Sequence, residues 1–353
     1  MKPDELFGLT AVAYLLMAWL GKAIYFNGPE TGPAIYAVLF LAILLVGLQK
    51  GANLNGRLFL SAFLLLVPLG PGYLVGGALS FSILYLLMRK NLLRRAVLPA
   101  LLVATGLTAF ACLRWGLPVL NPELRYTEAS VPFLVAGDIV IGAIAVLPDV
   151  RLLVIGEMIA IISASRTVGL GVAVAYALRI AYENRLTFEE IKSHKKAVLI
   201  GIILLLGVFL ARYYVTVSEY PVWKLGFLGS ILYRPASSYT VYEKLFSLGM
   251  PFGRGGLLFN PDPTGYVGGL FGKNIGYTYT IFGQPAYDFG IFGLVEALIL
   301  GLALGKASTN PFTGTFALTV AVLALDIGIE GQFLVAILLM AYLSEVKTWT
   351  GKN

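Results

Sequence analysis

The chain has 353 residues, of which 58% are hydrophobic and only 13% charged, and it carries a formal net charge of +7. Soluble domains carry roughly a quarter charged residues, so this chain cannot cover a water-facing surface in the ordinary way. Its positive charge does not point to nucleic acid, because the basic residues cluster between hydrophobic stretches, where the positive-inside rule accounts for them.

Apolar runs at 34–47, 58–69, 197–210 and 289–304 recur along the chain. A bilayer core of about 30 Å needs about 20 mostly apolar helical residues per crossing, which these runs and their flanks supply. They are continuously apolar instead of alternating with period two, which excludes an outer-membrane-type barrel. The predicted fold class is an all-α polytopic membrane protein of about a dozen transmembrane helices, organised as a single membrane domain. No cleavable signal signature opens the chain, so the first apolar stretch is expected to be retained.

In chain order, spans are predicted at 7–21, 33–49, 58–74, 75–89, 96–113, 131–148, 151–165, 167–182 and 197–215, then at 288–305, 314–330 and 332–346. With the N-terminus inside, Lys50, Arg57, Arg89, Lys90, Arg94, Arg95, Arg151, Arg179, Arg185, Lys192, Lys195, Lys196, Lys306, Lys347 and Lys352 become cytoplasmic. The short outer segments then keep only Lys22, Arg114, Arg125 and Arg166, and this asymmetry sets the orientation with both termini cytoplasmic.

Between spans nine and ten, residues 216–287 contain no predicted span. The segment holds Trp223, many Tyr and Phe residues, the run Arg234-Pro235-Ala236-Ser237-Ser238-Tyr239-Thr240 and the glycine-rich Pro251-Phe252-Gly253-Arg254-Gly255-Gly256. A structureless loop beyond about 15 residues is usually functional or disordered, and this one is too aromatic for disorder. One or two short amphipathic helices, the first near 237–248, are expected to lie at the outer membrane–water interface.

The single Cys112 rules out an intramolecular disulfide and any multi-cysteine cluster, and the lone His194 falls in the charged stretch 189–196, a solvated loop by composition. A three-histidine metal site is impossible, and neither metal nor cofactor is expected. Charged residues fall within or beside apolar spans at Asp138, Glu157, Arg166, Asp288, Glu296, Asp326 and Glu330. At mid-membrane each is costly unless paired or hydrated, which makes it functional by default, the alternative being mutual pairing that fixes helix packing. Arg166, at an outer turn, could join Arg234 and Arg254 of the loop in an outward-facing cationic pocket. Arginine suits a pyrophosphate because its planar fork binds oxygens bidentately and keeps its charge. The bland readings are snorkelling for Arg166 and a simple glycine turn at Arg254.

The Ser165-Arg166 pair opening a helix, the long outer loop with Arg234 then Thr240, and Pro251, Gly253 and Gly255 form an ordered set. Tyr287-Asp288-Phe289-Gly290-Ile291-Phe292-Gly293 and a helix continuing to Gly301 and Gly305 complete it. The set resembles the O-antigen polymerase or oligosaccharide repeat-unit polymerase family, related to O-antigen ligases, over residues 130–305. The resemblance implies a plasma-membrane glycosyltransferase acting on polyprenyl- or dolichyl-diphosphate-linked oligosaccharides, with a chain-length regulator as a candidate partner. It would transfer a growing chain from its lipid diphosphate to a sugar hydroxyl of another lipid-linked unit on the outer face. By motif, Arg166 and Arg234 would hold the diphosphate, with Arg254, Thr240, Tyr239 and Tyr287 lining the substrate. Fixed guanidinium groups stabilise charge growing on a leaving oxygen without a metal.

The acceptor hydroxyl needs a base. Ligase-type relatives use a histidine, and no outward-facing histidine exists here, which favours a carboxylate-assisted polymerase. Asp288 is the first choice, with a helix N-cap as its structural alternative, and Asp326 and Glu330 follow. The loop's tyrosines and Trp223 could stack on sugar faces, or simply form the interfacial aromatic belt. The rival reading is a lipid-linked oligosaccharide flippase or ion-coupled secondary transporter relaying protons through Asp138, Glu157, Asp326 and Glu330. A large outer loop and the lack of two matching halves stand against it.

Overall fold

Among the described residues, 1–184, 195–219 and 223–346 of a computed structural model, every regular element is helical. Chain order gives α1 (Pro3–Tyr25), α2 (Thr31–Gly51), a 3₁₀ helix (Gly56–Leu66), α3 (Pro71–Arg89), α4 (Leu93–Trp115), α5 (Val131–Val146), α6 (Val150–Ser163) and α7 (Arg166–Asn184). These are followed by α8 (Lys195–Glu219), α9 (Phe227–Gly249), α10 (Pro263–Leu270), α11 (Thr280–Phe289), α12 (Gly293–Ala307), α13 (Pro311–Ile327) and α14 (Gly331–Leu343). Among the described residues, seven helical stretches are long and apolar enough to cross a membrane, the last of them Thr280–Ala307, while α13 and α14 are shorter apolar helices. The expected solvated stretch with His194, and Arg185, Lys192, Lys347 and Lys352, lie outside the described residues.

Two predicted elements change form. The span expected at 58–74 is a 3₁₀ helix that ends at Leu66, and α3 starts only at Pro71. Pro68, Gly70 and Pro71 explain this, since proline cannot donate into a helical ladder and Gly70 sits at φ +110. The helix expected near 237–248 is the 23-residue α9, which begins ten residues earlier and carries Pro235 in its interior. One side of it is buried, through Ala236, Tyr239, Tyr242 and Leu245 among others, so it is a packed helix.

The structure divides into two compact units. In the first, within Lys90–Ser230, α5, α6 and α7 pack on one another, α4 lies on α5, and α8 lies on α6 and α7. Asp149 caps α6 by accepting from the Arg151 N–H at 2.8 Å. That helix ends at Ala164 in the left-handed region, and Ser165 Oγ accepts from the Val168 N–H so that α7 opens at Arg166.

The second unit, within Asp4–Arg89 and Ile231–Thr348, is built around the crossing of α2 with α12. Gly47 and Gly51 face Gly301 and Gly305 in parallel. A Cβ on Gly51 would fall 2.0 Å from the Leu302 carbonyl oxygen, and one on Gly301 2.2 Å from that of Leu44. Two small-xxx-small stripes thus bring the backbones together, as membrane helices do when no hydrophobic drive separates helix from lipid. The two final motif glycines of the sequence are therefore contact residues of this crossing.

Candidate active site

Helix α9 carries the central arginine and is held by the hairpin of α1 and α2. Gly21 lets α1 approach so closely that a Cβ there would fall 2.5 Å from the Leu232 carbonyl oxygen. At the next residue of α1, buried Lys22 pairs with buried Glu243, whose other oxygen accepts the Glu30 N–H at 2.8 Å. Tyr242 donates to the Pro33 carbonyl at 2.7 Å, and Tyr233 contacts the rings of Tyr25 and Phe26. A buried ion pair needs such additional hydrogen bonds to offset the desolvation of two charges. The rotation of α9 about its axis is fixed by these contacts.

That rotation points Arg234 and Ser238, one turn apart, at Asp326 in the last turn of α13. Arg234 donates from Nε to Asp326 Oδ2 at 3.1 Å, and Asp326 Oδ1 accepts from Ser238 Oγ at 3.0 Å and from Tyr14 OH at 3.1 Å. Ser238 Oγ and Thr278 Oγ1 are a further hydrogen-bonded pair at 2.7 Å. The two charged side chains keep 39% and 30% of their surface open. The Arg234–Asp326 contact runs through the Nε edge of the guanidinium. Of this cluster, Tyr14, Ser238 and Thr278 were not anticipated as site residues. Ser238 at four residues from Arg234 was a helical-spacing signal, whereas nothing in the sequence joins Tyr14 to them.

Asp288 is the penultimate residue of α11, at its C-terminal end, so it is not a helix N-cap. Burial leaves it 6% exposed. Its Oδ1 accepts the Leu257 N–H at 2.8 Å, and its Oδ2 accepts the Leu258 N–H at 2.7 Å and the Gln284 amide at 3.0 Å. This carboxylate closes the glycine turn in which Gly253, Gly255 and Gly256 all have positive φ. Within that turn Arg254 is exposed, with its N–H on the Tyr287 carbonyl and its Nε on the Leu248 carbonyl, each at 2.7 Å.

Of the other expected substrate contacts, Tyr239 and Tyr287 are turned inward and Thr240 is half-buried. Tyr239 is fully buried against Tyr242, and Tyr287 is buried with its hydroxyl on that of Tyr266 at 3.0 Å. The Thr240 hydroxyl bonds back to the Ala236 carbonyl within its own helix at 2.8 Å. Burial on an aromatic face, not an open stacking surface, is what their helix positions dictate. Trp223, in the first unit, donates Nε1 to Ser230 Oγ at 3.0 Å. Arg166 opens α7 in that same unit, beside the Ser165 cap.

The family model described as "Putative O-antigen polymerase" matches residues 30–342, most of the chain. The chain belongs to the O-antigen polymerase family. No curated protein and no solved structure matches it significantly. As an O-antigen polymerase family member it is a multi-pass membrane protein of polysaccharide biosynthesis, with lipid-linked oligosaccharides as its substrate class.

Two more carboxylates of this family member lie in the second unit. Glu296 is buried in α12 and accepts from the Gln284 amide at 3.3 Å, so a single amide bridges it to Asp288. Glu330, four residues beyond Asp326, sits in the loop before α14 and accepts from Gln332 Nε2 at 2.6 Å. Burial pushes its carboxyl above the usual range and Asp262 adds to this, while the Gln332 hydrogen bond opposes it.

Proposed function

We propose that this chain is a lipid-dependent glycan polymerase that moves a polyprenyl-diphosphate-linked oligosaccharide onto a hydroxyl of another lipid-linked unit without a metal ion. The half-open Arg234–Asp326 pair, braced by Tyr14 and Ser238, is the observation that carries this reading. Arg234 holds the diphosphate through its terminal amino groups, Asp326 keeps the fork aimed, and negative charge growing on the leaving oxygen meets a preset cation. Arg254, on a rigid exposed turn, supplies a second guanidinium, and Asp288 acts as the positioning residue of that turn. Glu330 takes the proton of the acceptor hydroxyl, since a base tuned upward works best near neutral pH. Arg166, in the first unit, is a separate cation for the same substrate class and requires its own test.

The deciding experiment incubates the purified protein, without added metal, with polyprenyl-diphosphate-linked oligosaccharide from its own source. A ladder of extended products with lipid diphosphate released supports the proposal. Arg166→Lys should then lose most turnover, because an ammonium cannot reproduce a bidentate fork.

One observation favours a second reading. Glu157 is fully buried in α6, and neither of its carboxylate oxygens has a hydrogen-bond partner among the described residues. Ion-coupled transport would use such a group. In reconstituted vesicles, lipid-linked glycan crossing the bilayer and stopping in Glu157→Gln, with no ladder formed, would select the transporter.

A further inference from the structure

Beyond the Arg234 site, the second unit carries a groove whose chemistry changes along its length. Its apolar part, about 490 Å³, runs between α3 and α14 and is lined by Gly77, Phe81, Phe316, Ala336, Leu339 and Leu343 among others. A polar pocket of about 310 Å³ lies at the Leu343 end, walled by Arg57, Tyr85, Arg89, Tyr342 and Glu345. Phe81 joins the two, since its ring lines the apolar part and contacts Tyr85 at 6.2 Å and Tyr342 at 5.6 Å.

The pocket has a surplus of positive charge. Glu345 is already committed, with Lys306 Nζ at 2.8 Å and the Gly56 N–H at 2.7 Å. The Gly56 N–H most strongly, then Lys306 and the nearby Arg57 charge, hold its carboxyl below the usual range, so one carboxylate faces three cations. Arg57 and Arg89 are both exposed and form no ion pair among the described residues. Two guanidinium groups and two phenolic hydroxyls around one pocket are a donor set for a phosphate.

The dimensions select what carries that phosphate. From Gln332 to Leu343 along α14 the apolar part is about 16 Å long at 1.5 Å per residue, close to one leaflet of a core about 30 Å thick. Glu330 and Glu345 bracket α14, so the arginine pocket lies about 22 Å along this helix from the loop that follows Asp326. A diphosphate held at Arg234 cannot reach it.

We propose that this groove holds one anionic phospholipid, its phosphate between Arg57 and Arg89 and one acyl chain between α3 and α14. Charge complementarity and a one-leaflet length match an anionic lipid of the leaflet facing Glu345. Helix α3, whose one buried residue is Met88, gains further packing through this lipid.

The test is native mass spectrometry of the full-length detergent-solubilised protein with equimolar phosphatidylglycerol and phosphatidylcholine. Phosphatidylglycerol should be retained at least about tenfold more tightly, as two basic side chains at a headgroup imply. Combining Arg57→Gln with Arg89→Gln should bring the two lipids within about twofold. Ala336→Trp, which fills the groove, should reduce retention of both. Equal retention by the wild-type protein would overturn the proposal without needing any variant. Displacement of phosphatidylglycerol by inorganic phosphate would overturn the acyl-chain part. Displacement by polyprenyl phosphate at far lower concentration would reassign the groove to the substrate's tail. None of these readouts involves chain extension, so they stand or fall apart from the polymerase proposal.

Discussion

Arg234 Nε and Asp326 Oδ2 lie 3.1 Å apart, and each side chain keeps about a third of its surface open. A pair this exposed contributes little to stability, because water screens it and two long side chains must be ordered. Its value is geometric. Asp326 takes the Nε edge of the fork, and in the proposed mechanism the terminal amino groups serve the diphosphate.

Arg234→Ala should therefore lower polymer extension about 10²- to 10³-fold, the usual cost of removing one preset charge-stabilising donor. Thermal stability in detergent should hardly move. Gel-resolved product ladders measured beside a melting curve check both statements, and full turnover in Arg234→Ala would remove the arginine from the mechanism.

Asp288→Asn separates a positioning role from a base. The neutral amide offers one oxygen where the carboxylate satisfies the N–H groups of Leu257 and Leu258, and leaving a buried donor unsatisfied costs about 1–3 kcal/mol. Limited proteolysis should then open the chain near Arg254 and the melting temperature should fall. An inactive variant with unchanged melting and an intact turn would restore Asp288 to the base role.

The buried pair of Lys22 and Glu243 governs how α9 is aimed. Lys22→Met leaves Glu243 unpaired in the interior, which costs about 3–5 kcal/mol. Lys22→Met combined with Glu243→Met should recover much of that stability, since no lone charge stays behind. A double variant as unstable as Lys22→Met alone would mean that packing, not charge, sets the cost.

For Glu330 the sign of the pH effect follows from a carboxyl raised by burial. As a base it works only when ionised, so extension should fall as pH drops through a value above the ordinary Glu range of about 4.3. Stability runs the other way. Ionising a group whose folded pKa is raised costs stability above that pKa, and the cost vanishes below the unfolded value. Glu330→Gln should thus leave at most a low residual extension without the acidic limb, raise the melting temperature at neutral pH, and leave it unchanged near pH 4. An acidic limb that survives in Glu330→Gln would assign it to another group.

Much of the helical layout was readable from composition, because a bilayer admits few alternatives to continuous apolar helices. The stretches predicted at 131–148, 151–165 and 167–182 fall on α5, α6 and α7 within a few residues, and Ser165 opens α7 at Arg166 as its motif implies. Hydropathy misjudged 58–74, where three turn-forming residues outweigh an apolar run. It also shortened α9, whose tyrosines and buried ion pair read as a polar loop until the partners 209 to 221 positions away are present.

By itself, then, the sequence determined that the chain is a membrane-embedded helical protein, where most helices lie, and that Arg234 is a site candidate. Each of these rests on local chemistry: hydropathy, turn residues and a guanidinium in a polar run. Only the tertiary structure decided that Asp326 and Tyr14 meet Arg234, that Asp288 closes the Arg254 turn, and that Tyr239 and Tyr287 face inward. Those relations depend on how each helix is rotated about its axis. That rotation is set by close backbone approaches such as Gly21 at Leu232 and Gly51 at Leu302, which act between residues far apart in the chain.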